Sequence, residues 1–209
     1  PISAVGLSQN TVVALGPDGL FIRESDGFHH YKGGWANSAR QVAFTNDGIS
    51  FYVATLHGMF LFENRDLKGH WHREEELISG DKRGVAIDKQ GRIWQGGFGG
   101  IDIYEDENRI DFLNPDKGLP CSDVRRLRFH SDGTLWVSTG LGMARYKEGR
   151  WSLRHSLRWL PSNDVRDVAF ADDGTAYIAT AKGVAVLHRQ RMTLADKAAH
   201  YYNICMTRK

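Results

Sequence analysis

The sequence predicts an all-β chain: a β-propeller of about five blade-sized repeats, followed by a C-terminal α-helix. Three observations carry this. Glycine recurs in register at Gly19, Gly58, Gly100, Gly142 and Gly183, at spacings of 39, 42, 42 and 41 residues. A second glycine set (Gly48, Gly91, Gly133 and Gly174) closes Asn-Asp-Gly, Lys-Gln-Gly, Ser-Asp-Gly and Asp-Asp-Gly turns, where Gly supplies the positive φ a hairpin needs. Between the glycines lie short β-branched and aromatic runs with no helical period.

Each unit repeats one grammar. An apolar run such as Val168–Phe170 opens it, and the first glycine turn follows. A second strand, such as Leu135–Thr139, leads through another glycine to a third, such as Met143–Tyr146. Fourth strands are expected at Phe28–Tyr31, His70–Arg73, Arg109–Phe112 and Trp151–Arg154. The units fall at about 1–34, 35–79, 80–118, 119–159 and 160–190. They either close alone or form part of a larger propeller. A two-sheet sandwich is the competing fold. Residues 191–209 read as a helix, since Thr193-Leu-Ala-Asp196 is a capping-box start and Leu194, Ala198, Tyr201 and Cys205 share one helical face.

Composition narrows the function classes. Lys and Arg number 27 against 25 Asp and Glu, a formal charge of +2, so no bulk charge points to nucleic acid. The two cysteines, Cys121 and Cys205, form no metal-binding pair and no disulfide framework. No apolar run reaches membrane-spanning length, and no leader is visible at Pro1-Ile2-Ser3. No phosphate loop or dinucleotide fingerprint occurs, because Gly96-Gly-Phe-Gly-Gly100 sits between strands. No cofactor is expected.

The candidate site is a column of cations. Arg40, Arg83, Arg125 and Arg166 each stand eight residues before the turn glycine of their unit. All open the innermost strand, and strand alternation places Arg166, Val168 and Phe170 on one side. Four guanidiniums at one mouth of the propeller would take a carboxylate, sulfate or phosphate. The competing reading pairs each Arg with an interblade Asp such as Asp123 or Asp164. On the same face, His57, Phe98 and Lys182 fill the second-to-third-strand turns, and Lys32, Trp35 and Trp159 the loops. Rings beside cations suit a sugar or anionic glycan; both tryptophans are equally candidates for interblade packing. Tyr52, Trp94, Trp136 and Tyr177 recur at one repeat position and read as core. His70 and His72 share a strand face but lack a third zinc ligand.

Two segments, Leu119-Pro-Cys-Ser-Asp-Val-Arg125 and Leu160-Pro-Ser-Asn-Asp-Val-Arg166, together with Asp132-Gly-Thr-Leu-Trp-Val-Ser-Thr-Gly-Leu-Gly142, resemble the two-component regulator propeller repeat. That resemblance implies a ligand-sensing, often exported, part of a larger bacterial protein. The segment Met192–Tyr202 is similar to the lead-in to a helical domain in some carbohydrate-processing proteins. The expected function is non-catalytic recognition of a carbohydrate, a small anion or a protein partner. The alternative is the propeller of a glycan lyase or hydrolase; Tyr31, His30 and Arg40 are then the nearest acid–base set by sequence.

Overall fold

The computed structural model describes residues 2–8, 11–71, 81–106, 108–188 and 193–207. It is a five-bladed β-propeller with one C-terminal helix. Blade 1 is β1 (Ala4–Leu7), β2 (Val12–Gly16), β3 (Gly19–Glu24) and β4 (Gly27–Tyr31). Blade 2 is β5 (Ala39–Phe44), β6 (Phe51–Thr55), β7 (Gly58–Glu63) and β8 (Asp66–Trp71). Blade 3 is β9 (Lys82–Ile87), β10 (Ile93–Gly97), β11 (Gly100–Glu105) and β12 (Asn108–Leu113). Blade 4 is β13 (Val124–Phe129), β14 (Leu135–Thr139), β15 (Gly142–Lys147) and β16 (Arg150–Arg154). Blade 5 has three strands, β17 (Val165–Phe170), β18 (Ala176–Thr180) and β19 (Gly183–Leu187), before helix α1 (Leu194–Thr207). Each blade is an antiparallel meander with its first strand innermost. The fourth strand of blade 2 starts four residues earlier than the sequence suggests, because Asn64 and Arg65 take positive φ and turn the chain without a glycine.

The glycine opening the third strand of blades 1, 3 and 4 is demanded by close approach. A Cβ on Gly142 would lie 2.2 Å from the Arg154 carbonyl oxygen of the fourth strand, and one on Gly19 2.1 Å from that of Tyr31. Gly183 has the same positive φ but meets only Pro161 at 4.0 Å, and among the described residues no fourth strand lies beside β19.

The second strands of blades 3 and 4 are buried on both faces, so these blades must be covered twice. Four apolar clusters fill the four seams between consecutive blades. The recurring aromatic anchors the seams on either side of blade 4. Trp94 meets Phe129 of blade 4 edge-on at 5.5 Å, and Trp136 meets Phe170 of blade 5 at 5.4 Å. Tyr177, at the same register in blade 5, is 45% exposed, and Leu7, at the register of Phe129 in blade 1, is 70% exposed. Among the described residues no fifth cluster joins blade 5 to blade 1.

Helix α1 starts as the capping box specifies. The Asp196 backbone N–H donates to Thr193 Oγ1 at 3.1 Å, and Thr193 N–H donates back to Asp196 Oδ2 at 2.8 Å. Leu194, Tyr201, Tyr202 and Met206 are exposed, so these four do not sink into the sheets. No described helix is long and apolar enough to cross a membrane.

Blade 3 departs from its siblings in the core. Lys82 and Asp102 occupy positions held in blade 4 by Val124 and Ala144, and form an ion pair at 2.9 Å with side chains 3% and 2% exposed. Removing one partner strands a buried charge. Asp102→Ala should therefore lower the unfolding free energy by about 3–5 kcal/mol, whereas Lys82→Met with Asp102→Leu should be close to neutral; urea unfolding of both variants checks this. Gly96 is the second pressure point, since a Cβ there would lie 2.4 Å from Val124 Cγ1. Gly96→Val should cost about 1–3 kcal/mol by overpacking the seam, read as a lower urea midpoint at unchanged slope.

Candidate functional site

The four column arginines share a backbone feature that alternation does not foresee. In β5 the pairing with β6 jumps from Ala39 to Gln41, in β9 from Lys82 to Gly84, in β13 from Val124 to Arg126 and in β17 from Val165 to Asp167. The skipped residues are Arg40, Arg83, Arg125 and Arg166. Each is the extra residue of a β-bulge, which re-aims its side chain. The expectation that Arg166, Val168 and Phe170 share one side is thereby corrected: Arg166 is exposed at the bulge while Val168 is buried.

The bulges place these arginines on what we call the upper face, with the second-to-third-strand turns and the interblade loops. There they join a ladder of alternating charge. Arg83 Nε donates to Asp81 Oδ2 at 2.6 Å and Arg83 Nη1 to Asp123 Oδ1 at 2.7 Å. Arg125 Nε donates to Asp123 Oδ2 at 3.0 Å, and Arg125 Nη1 to Asp164 Oδ1. Arg166 closes the series 3.9 Å from Asp164 Oδ2. The Asp81 hydrogen bond, with the charges of Asp81 and Asp123, raises the Arg83 pKa above its ordinary value against the effect of burial. Asp123 and Asp164 thus each bridge two guanidiniums, stapling blades 3, 4 and 5. Arg40 is exposed, with no carboxylate partner among the described residues.

The remaining predicted residues divide by position. His57 and Lys182 occupy exposed turns; their backbone N–H groups donate to Thr55 Oγ1 and Thr180 Oγ1. Phe98 is 60% exposed, and its backbone bridges to Asp123 beside the ladder. Trp35 is half-buried and stacks on Phe60 at 4.0 Å in the seam of blades 1 and 2. Lys32 is exposed.

Sequence reading names Trp159, which is 39% exposed, but misses the arginines gathered around it. Arg154 and Arg158 lie over its ring at 4.9 and 4.8 Å from the centroid. Arg158 also donates to the Tyr201 hydroxyl of α1 at 2.7 Å. Neither guanidinium has a carboxylate partner among the described residues. The adjacent loop reaches blade 5, where Ala181 N–H donates to the Asp164 carbonyl at 2.9 Å. The adjacency of Arg158 and Trp159 was the available signal. A second missed feature lies on the lower face: a groove of ≈ 820 Å³ between blades 3 and 4, floored by Trp94, Phe129 and Tyr146. Its rim charges are engaged, since His130 and Lys147 sit on Asp132 at 2.8 and 3.5 Å. Hydrogen bonds from Thr134 and His130 push the Asp132 carboxyl well below the usual carboxylate range, against its burial.

The lyase set does not converge. The Tyr31 hydroxyl donates to the Arg65 carbonyl at 3.2 Å in the blade 1–2 seam, while neighbouring His30 stacks on Phe21 and bonds the Asp18 carbonyl. Burial first, then the charges of Asp66 and Glu24, raise the Tyr31 pKa. Among the described residues no three His, Cys, Asp or Glu side chains are grouped to hold a metal. His70 bonds the His57 carbonyl at 2.8 Å, and His72 lies outside the described residues.

No protein-family model matches the sequence, and no curated protein sequence does. Solved structures with a similar fold include the extracellular domain of a hybrid two-component system from B. thetaiotaomicron, at a TM-score of 0.64 and 17% identity over 88% of this chain and 32% of that one. PorZ, a surface component of the type-IX secretion system of Porphyromonas gingivalis, gives 0.69 and 14% over 89% and 32%. Virginiamycin B lyase from Staphylococcus aureus gives 0.67 and 13% over 91% and 70%. The chain spans about one third of the extracellular domain and of PorZ. At these identities the likeness establishes the propeller fold alone.

Proposed function

We propose that this chain is a non-catalytic recognition propeller that binds an anionic carbohydrate on the upper face of blades 4 and 5. One observation carries the reading. Arg154 and Arg158 are held over Trp159 by cation–π contact rather than by carboxylates, and blade 5 adds exposed Arg166 and Lys182 to the same upper face. Guanidiniums fixed by an aromatic ring keep their N–H forks for a carboxylate or sulfate. An exposed indole edge offers apolar surface to a sugar ring. Arg83 and Arg125 have an architectural role in this reading, because their charge is spent on the ladder. The extracellular and surface neighbours support a sensor-type, exported setting. The lyase neighbour supports catalysis only through the fold, which hosts unrelated functions.

The two roles separate experimentally. Arg154→Ala with Arg158→Ala should weaken binding of a chondroitin sulfate disaccharide about tenfold or more, the loss expected for charge-assisted hydrogen bonds, with the melting point nearly unchanged. Arg83→Ala should leave that affinity intact and lower stability by about 1–2 kcal/mol, a figure reduced for the partial exposure of the pairs. Calorimetric titration and urea unfolding read the two effects. Turnover of the disaccharide, or equal affinity for an uncharged disaccharide, would overturn the proposal.

A further inference from the structure

A second concentration of cations lies at the propeller axis, and no pairing ladder accounts for it. The innermost strands of all five blades line a cavity of ≈ 390 Å³. One step past each bulge, blades 2, 3, 4 and 5 place Gln41, Gly84, Arg126 and Asp167, and two residues further Ala43, Ala86, Arg128 and Ala169. Three blades therefore put alanine where blade 4 puts Arg128. The small residues leave room, and blade 4 alone fills that room with two guanidiniums. The strand spacing reflects this: β5 and β13 both pack closely on β9, while β13 and β17 touch far less.

The polar groups around the cavity are few. Arg126 Nη1 reaches across the axis to the Arg40 carbonyl oxygen. Gln41 is 7% exposed; its Nε2 donates to the Leu127 carbonyl at 2.7 Å, and its Oε1 accepts from Leu127 N–H at 3.2 Å. Arg128 Nη2 lies 3.3 and 3.4 Å from the carboxylate of Asp167, with side chains 45% and 42% exposed. Burial pulls the Arg126 pKa below its ordinary value; Asp167 opposes this, while the charges of Arg128 and Arg40 add to it. Two guanidiniums thus face one carboxylate in the cavity, with the charge of Arg40 close enough to act on Arg126. A guanidinium carries five N–H donors, and the one bond to the Arg40 carbonyl leaves Arg126 with donors to spare.

We propose that the axial cavity is a binding site for a small oxyanion, held between the guanidiniums of Arg126 and Arg128. The ligand chemistry is a sulfate, phosphate or carboxylate group. A bound anion replaces like-charge crowding with charge-assisted hydrogen bonds, and a half-buried cleft strengthens them relative to open water. Asp167 competes for Arg128 and sets an upper limit on affinity. The site is separate from the Trp159 sector and does not depend on it.

The test titrates the full chain with sodium sulfate, sodium phosphate and sodium acetate at matched ionic strength, with chloride as the reference. Binding is read by calorimetry and by the arginine Nε–Hε resonances. Saturable shifts are expected at Arg126 and Arg128, independent of any at Arg154 and Arg158. Arg128→Gln, at an exposed position that folding tolerates, should weaken it about tenfold or more. Arg126→Gln should do at least as much, and Asp167→Asn should tighten it, which a purely structural role would not produce. Arg154→Ala with Arg158→Ala should leave it unchanged. Binding by sulfate and phosphate alone identifies a tetrahedral oxyanion, and binding by acetate identifies a carboxylate group. The proposal is overturned if no salt gives saturable shifts at these two arginines, if Arg128→Gln binds as the parent does, or if binding disappears only in the Arg154 and Arg158 variant.

Discussion

The seam between consecutive blades is the constraint on which the rest of the structure depends. In blades 3 and 4 the second strand of the twisted antiparallel meander is buried on both faces, so neither blade satisfies its own apolar surface. Each must be clamped between two neighbours, and the chain meets that demand with one repeated device. A ring on the second strand receives a side chain from the first strand of the next blade, as Trp94 receives Phe129 and Trp136 receives Phe170. Repeat architectures gain stability in this nearest-neighbour manner. Tyr177 and Leu7 show the same device half-assembled, each exposed where its siblings are covered.

Close seams leave little room for polar groups, and their placement follows from that. Glycines at positions 84 and 96 let blade 4 approach blade 3 until Leu127 and Val124 fill the space a Cβ would need. Charged residues are driven to the ends of the strands, where the bulges hold them. A bulge leaves one residue out of the ladder and turns it toward the surface. Arginine suits that position because its fork reaches two carboxylates at once. Asp123 and Asp164 stand two residues before Arg125 and Arg166, and also reach the arginine of the preceding blade. A single repeated Asp-Val-Arg segment thereby forms both the intrablade and the interblade halves of the ladder.

This explains how much was legible in the sequence. The blade rhythm was, because a glycine opens the third strand at fixed spacing, a steric necessity in blades 1, 3 and 4. The helix start was, because Thr193 and Asp196 satisfy each other locally. The ladder was legible as the competing reading of the arginine column, since Asp123 and Asp164 stand beside it in the sequence. The direction of the arginine side chains was not. Alternation assumes continuous pairing, and a single skipped residue reverses every assignment before it. The Trp159 cluster was harder still. Arg154 lies on a strand, Arg158 and Trp159 in a loop and Tyr201 on a helix, so no period connects them. Arg126 and Arg128 looked like ordinary strand positions; only comparison with the alanines of the sibling blades, at the register the bulges impose, marks them as exceptional.

The chain carries almost no net charge, yet three groups of its arginines sit in environments with different consequences. In the ladder, carboxylates alternate with guanidiniums and the field cancels over a few ångströms. Over Trp159, the ring's quadrupole orients two guanidiniums without neutralising them. At the axis, Arg126 and Arg128 share one carboxylate in a cleft that solvent only partly screens. Affinity for an anion depends on this difference rather than on the number of arginines, because a paired guanidinium must first give up a bond of the kind it would form. Within the column, Arg83 and Arg125 are therefore the guanidiniums least available to a ligand, because each already spans two carboxylates. Arg154 and Arg158, which no repeat position announces, are oriented by a ring instead.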